Sequence, residues 1–143
     1  MEKIVAKIIM EMLGAPKEHV DETMKLVVDK MSKDDKFKLL TNKVFPAEEI
    51  NDKKLTGNKP VKFFSTFAEA ELEFQQIEDL IGFCFDYMPS SVEVLHPDGL
   101  KLTLPNVNNV LNDLLARLHQ YDMVLKNVHA QNMLMKKELG REN

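Results

Sequence analysis

The 143-residue sequence contains one cysteine, no tryptophan, five glycines and six prolines. One thiol, Cys84, can form neither an internal disulfide nor a cysteine-based zinc cluster, and cysteine this scarce points to a reducing compartment. So little glycine and proline excludes collagen-like and low-complexity chains. No stretch approaches the roughly 18 uninterrupted apolar residues of a membrane span. The charged start (Glu2, Lys3, Lys7) has neither the n-region nor the h-region of a secretory signal, so a cytoplasmic location is expected. Positive charge is in deficit, 19 Lys+Arg against 23 Asp+Glu, and the net charge of −4 argues against a dedicated nucleic-acid-binding domain. GxGxxG, P-loop, GxSxG, CxxC and HExxH motifs are all missing. None of His19, His96, His119 and His129 stands four residues from another histidine or from Cys84, so no helical zinc pair and no cofactor is expected.

What is present is an ordinary globular composition, 44% hydrophobic and 29% charged, of a length that suits one domain. Residues 2–13 place Ile4, Val5, Ile8, Ile9, Met12 and Leu13 at helical spacing, and Gly14 follows as a stop. Val20, Met24, Val27, Val28 and Met31 repeat that period after Pro16, so residues 1–31 read as a helical hairpin. The run 36–45 mixes aromatic and β-branched residues over strand length, and 47–60 reads as a long charged loop. Residues 61–74 read as a strand in which Ala68, Ala70, Leu72 and Phe74 alternate with Glu69, Glu71 and Glu73. The glutamate row is expected to be solvated and paired with Lys36, Lys38 and Lys43 of the preceding strand.

A helix is expected over about 75–88, with Ile77, Leu80, Ile81, Cys84 and Met88 on one face and Pro89 as its end. Two alternating runs flank His96-Pro97-Asp98-Gly99, with turn residues where a type I turn wants them, and predict a hairpin over 91–104. The residues from 106 to 139 then run without Pro or Gly as one long helix. The fold class is α+β: a small antiparallel, ferredoxin-like sheet over 36–104, a helical hairpin before it and one long C-terminal helix behind, together a single domain over 1–143.

The long helix is the clearest interaction device. With Leu111 at heptad position a, Leu118, Leu125 and Asn132 follow at a, while Leu114, Tyr121, Val128 and Met135 occupy d. A helix of about 33 residues is roughly 50 Å long, more than the width of a compact chain of this size. Leu118, Tyr121, Leu125, Val128, Asn132 and Met135 are therefore expected in a seam with a second copy, as a homodimer. A lone Asn at a lowers stability but selects register, because its amide needs a partner across the seam. A second candidate surface is Phe85, Asp86, Tyr87, Ser90 and Ser91, which gather a carboxylate, a phenol and two hydroxyls where a helix hands over to a strand. As catalytic groups, Cys84, Asp86 and Tyr87 lack an identifiable base, and Cys84 between Phe83 and Phe85 reads as a small core residue.

Three runs, FSTFAEAELEF (64–74), GFCFDYMPSSVEVLHP (82–97) and LNDLLARLHQYDMVLKN (111–127), resemble a set of small uncharacterised archaeal proteins. That resemblance implies an archaeal, cytoplasmic protein and carries no activity with it. GFCFDYMPSSVEVLHPDGL ahead of a long helix is also similar to the C-terminal extension of WYL-domain transcriptional regulators. There, a helix, a strand with a V-x-V-L-x-P motif and a final helix form a ferredoxin-like unit for dimerisation or ligand sensing. Together these readings lead to a non-enzymatic, dimerising interaction or regulatory module. The alternative is a small-molecule-sensing ferredoxin-like domain with its ligand between sheet and helix.

Overall fold

A computed structural model describes residues 2–51 and 62–142. The chain divides into two compact units, residues 1–101 and residues 102–143. In the first, β1 (Ile4–Gly14) leads to α1 (Lys17–Lys33), β2 (Lys38–Ile50), β3 (Phe63–Phe74), α2 (Ile77–Tyr87) and β4 (Ser91–His96). The four strands form one antiparallel sheet in the order β2-β3-β1-β4. The second unit is built on α3 (Leu104–Glu142), a single helix of 39 residues.

The helical hairpin expected over 1–31 is a correction: its first half is the strand β1. Ile4, Val5, Ile8 and Ile9 satisfy a helical stripe, but they satisfy a strand with two apolar faces equally well. Tertiary position decides between them. β1 lies inside the sheet between β3 and β4, so Ile4, Ala6, Ile8 and Met10 are buried on one face, while Val5, Lys7 and Ile9 are half-buried on the other. The turn that follows is tight. A Cβ on Gly14 would stand 3.2 Å from Val20 Cγ2, where α1 closes over the end of the strand.

The core forms between α1, α2 and the inner sheet face. Val20, Met24, Val28 and Met31 of α1 recur every three or four residues and are buried. They share the core with Ile8 of β1 and with Leu72 and Phe74 of β3, each fully enclosed. Burying a side chain of that size contributes about 1.5–3 kcal/mol. Phe37, between α1 and β2, stands edge-on to Phe83 and Tyr87 of α2 at 5.2 and 5.8 Å between ring centres. Phe83 in turn stacks on Tyr87 at 4.8 Å. The aromatic cluster locks α2 against the α1–β2 turn.

The outer face carries the glutamate row. Lys38 lies opposite Glu73 and Lys43 opposite Glu69 in the ladder, whereas Lys36 precedes the strand; the three glutamates are half-buried rather than fully solvated, and Glu73 pairs with Lys3 at 3.1 Å. β2 runs on through Pro46 to Ile50, so Ala47–Ile50 belong to the sheet, and the rest of the expected 47–60 loop, apart from Asn51, lies outside the described residues. The hairpin expected over 91–104 is a second correction, because β4 ends at His96 and 97–103 form no strand. All six β4 side chains are exposed, so no apolar face specifies a register for a further strand. Thr103 is used instead to start α3.

Candidate functional site

Helix α3 opens on a reciprocal cap. Thr103 Oγ1 donates to Asn106 Oδ1 at 2.7 Å, and the Asn106 N–H donates to Thr103 Oγ1 at 3.3 Å. The arrangement is a capping box with Asn in the place of Glu, and Pro105 falls in the first turn, where its missing N–H is harmless. Two ion pairs, each between residues one turn apart, brace the helix, Arg117 with Asp113 at 3.1 Å and Lys126 with Asp122 at 2.9 Å. The heptad residues then line up on one face. Leu118, Leu125, Val128 and Met135 are 50–67% exposed, Tyr121 is 43% exposed, and Asn132 is exposed in the same row. From Leu118 to Met135 this row is roughly 26 Å long. Large apolar side chains left in water at a regular helical spacing make this row a candidate interaction face.

The segment Phe83–Ser91 is built differently. Tyr87 Oη donates to Asp34 Oδ2 at 3.0 Å, and the Lys30 ammonium lies 5.5 Å from the ring centre. Burial, reinforced by the Asp34 contact, pushes the Tyr87 phenol up to about 12. Met88 takes the left-handed conformation (φ 49°) that ends α2, its N–H donating to the Cys84 carbonyl at 3.1 Å. The Ser90 N–H and Oγ both donate to the Ile9 carbonyl, at 2.8 and 3.0 Å, and Ser91 then pairs with Ile9. Tyr87 and Ser90 therefore tie α2 and β4 to the body, while Phe85 is half-buried and Asp86 exposed. Burial also raises the Cys84 thiol, the direction opposite to that of an activated nucleophile. Among the described residues no cluster of three or more His, Cys, Asp or Glu is placed to hold a metal ion.

Two residues that carry local geometry escape a reading by motif. The register of β2 against β3 shifts between Phe45 and Glu48, around Pro46. Thr66, fully buried on β3, donates to the Phe45 carbonyl at 2.6 Å, and the Ala47 N–H leaves the ladder to donate to Asp21 Oδ1 on α1 at 2.7 Å. That hydrogen bond and the Lys17 ammonium, 3.1 Å from Asp21 Oδ2, hold the Asp21 carboxyl below the usual carboxylate range. Pro46 in the middle of a strand-like run is the one sequence signal for this bulge. Beside it, Glu11, Leu13, Phe45, Glu48, Ile50 and Phe67 line an open cleft of about 720 Å³ with an apolar floor and an acidic rim.

No helix among the described residues is long and apolar enough to cross a membrane. No solved structure matches the chain. An uncharacterised protein of Methanocaldococcus jannaschii, MJ0538, is 35% identical over 60 residues, which are 42% of this chain and 23% of that protein. The chain thus spans well under two thirds of the relative it matches. The description of the MJ0538 family fits residues 5–141, from β1 to the end of α3, in line with the resemblance to uncharacterised archaeal proteins, and the chain belongs to the MJ0538 family.

Proposed function

We propose that this chain is a non-enzymatic interaction module that forms a homodimer through α3. The observation that carries the reading is the exposed row of Leu118, Tyr121, Leu125, Val128 and Met135, which repeats every three or four residues on a helix of 39 residues. The β1-α1-β2-β3-α2-β4 unit serves as its body. Its element order and its antiparallel strand order support a ferredoxin-like classification. A cytoplasmic setting is part of the same reading and rests on the single, partly buried thiol.

Light scattering on the full chain tests it. A dimer mass is expected for the natural sequence and a monomer mass for Leu118→Lys with Leu125→Lys, with the near-ultraviolet signal of the Phe37–Phe83–Tyr87 cluster unchanged. A natural chain that stays monomeric at high micromolar concentration refutes the reading.

A second reading, small-molecule sensing, is supported by the cleft at Leu13, Phe45 and Phe67, whose volume lies in the usual range for ligand sites. The space between sheet and helices, near Tyr87 and Ser90, is filled by core side chains, so the ligand in this reading sits on the outer face. Thermal-shift screening with amino acids and nucleotides tests it, because a ligand at 100 times its Kd raises stability by about 2.7 kcal/mol.

A further inference from the structure

Two helices can share a heptad seam in parallel or in antiparallel, and the charges flanking the seam of α3 discriminate between the two. With Leu118 at a, Arg117, Val124, Gln131 and Glu138 are at g, and Leu115, Asp122, His129 and Lys136 are at e. In a parallel, in-register pair, each g residue faces the e residue five positions later on the partner. Arg117 then meets Asp122, but Val124 meets His129 and Gln131 meets Lys136, and Asn132 is enclosed against its own copy. An antiparallel pair places a against d, g against g and e against e. When Leu118 faces Met135 of the second copy, Leu125 faces Val128, Leu139 faces Leu114 and Asn132 faces Tyr121. In that register Arg117 lies opposite Glu138, and Asp122 lies opposite Lys136. Each pairing occurs twice by symmetry, so all four charged flanking positions find opposite charge.

Neighbouring registers lose this match. A shift of one heptad in one direction sets Arg117 against Gln131 and Asp122 against His129, and a shift in the other sets Lys136 against His129. Most of the side chains concerned are exposed, with Leu114 and Arg117 half-buried. Leu118, Leu125, Val128 and Met135 are at least half exposed, and Asp122, Lys136 and Glu138 are exposed beside them. The Asp113–Arg117 and Asp122–Lys126 pairs already orient two of the four charges along the helix. From the charge complementarity we infer that the occupant of the α3 face is a second copy of this chain, aligned antiparallel with Leu118 against Met135. The inference rests on the self-association proposed above. It places the hydroxyl of Tyr121 across from the Asn132 amide, which gives that amide a polar neighbour in an otherwise apolar seam. The overlap from Leu114 to Leu139 is about 38 Å long.

Site-directed disulfides read the orientation directly. In a Cys84→Ser background, Leu118→Cys and Met135→Cys are made as separate proteins and oxidised singly and as an equimolar mixture. The mixed disulfide is expected in the mixture, with no covalent dimer from either protein alone. A covalent dimer of Leu118→Cys by itself indicates a parallel seam and overturns the inference. A dimer mass by light scattering with no cross-link in any sample overturns the register while leaving self-association intact. A monomer mass refutes self-association itself. Charge reversal gives a readout free of cysteines. Arg117→Glu and Glu138→Arg are each expected to weaken the dimer by about tenfold in Kd, and the double variant to recover it. Recovery by Arg117→Glu with Asp122→Arg instead is the parallel signature and refutes the antiparallel seam.

Discussion

Thr66→Val isolates a single hydrogen bond at the β2 bulge. Valine matches threonine in shape, so the substitution opens no cavity and leaves the fully buried site filled. What disappears is the hydroxyl that donates to the Phe45 carbonyl at 2.6 Å. Pro46, which has no N–H to offer, follows that carbonyl, and the register shifts there. The bond is only partly buried, so its loss costs about 0.5–1.5 kcal/mol. Taking the upper end, about 1.5 kcal/mol, and roughly 3–5 °C of Tm per kcal/mol for a chain of this size, the variant should melt about 5–8 °C lower. Differential scanning calorimetry measures the shift, and hydrogen exchange localises it. Amides of residues 44, 45, 47 and 48 should lose protection while those of β1, two strands away from β2, keep theirs. A Tm within a degree of the natural protein, with unchanged exchange at those amides, would refute the account of the bulge as held by Thr66.

Three further outcomes are expected. Tyr87→Phe removes the donor to Asp34 and should lower stability at neutral pH by about 0.5–1 kcal/mol, the modest end of the range because the pair is partly exposed. The phenol is raised to about 12 in the folded chain, so its contribution is complete below the ordinary tyrosine value near 10 and is lost as pH rises through about 12. Natural and variant stabilities should therefore converge there, and parallel alkaline curves would count against the Asp34 contact. Asp21 behaves in the opposite sense: its carboxyl is lowered, so its contribution is present above the ordinary carboxylate value, about 4, and fades as pH falls through its folded value. Asp21→Ala should lose stability at pH 7 and approach the natural protein as the pH falls below the ordinary carboxylate range, in acid titration followed by circular dichroism. Asn132→Leu should strengthen the dimer, read as a lower dissociation concentration in sedimentation; an unchanged mass and unchanged concentration dependence would remove Asn132 from the seam.

The residues differ sharply in how much they disclose on their own. The alternation of Ala68, Ala70, Leu72 and Phe74 with three glutamates specifies a strand with one wet face, because a period of two is incompatible with a helix. The unbroken run after Pro105 specifies a long helix, and its heptads name a row of large apolar side chains that the helix leaves exposed. Such signals are local, since the period and the end residues lie within the segment itself. Residues 4–9 are the opposite case. Doublets of apolar residues suit either a helical stripe or a strand buried on both faces, and only the placement of β1 between β3 and β4 selects the strand. The same holds for Phe83–Ser91, where a row of reactive groups reads as a site. Hydrogen bonds to Asp34 and Ile9, more than fifty residues away along the chain, turn Tyr87 and Ser90 into fastenings. The bulge at Pro46 and the contacts of Thr66 and Asp21 that define it likewise join three separate elements. Periodicity and end signals were determined by the sequence; strand neighbours, the filling of the core and the partners of buried polar groups were decided by tertiary structure. The physical reason is that burial and hydrogen bonding between distant segments depend on which residues the fold brings together, and no single segment encodes that.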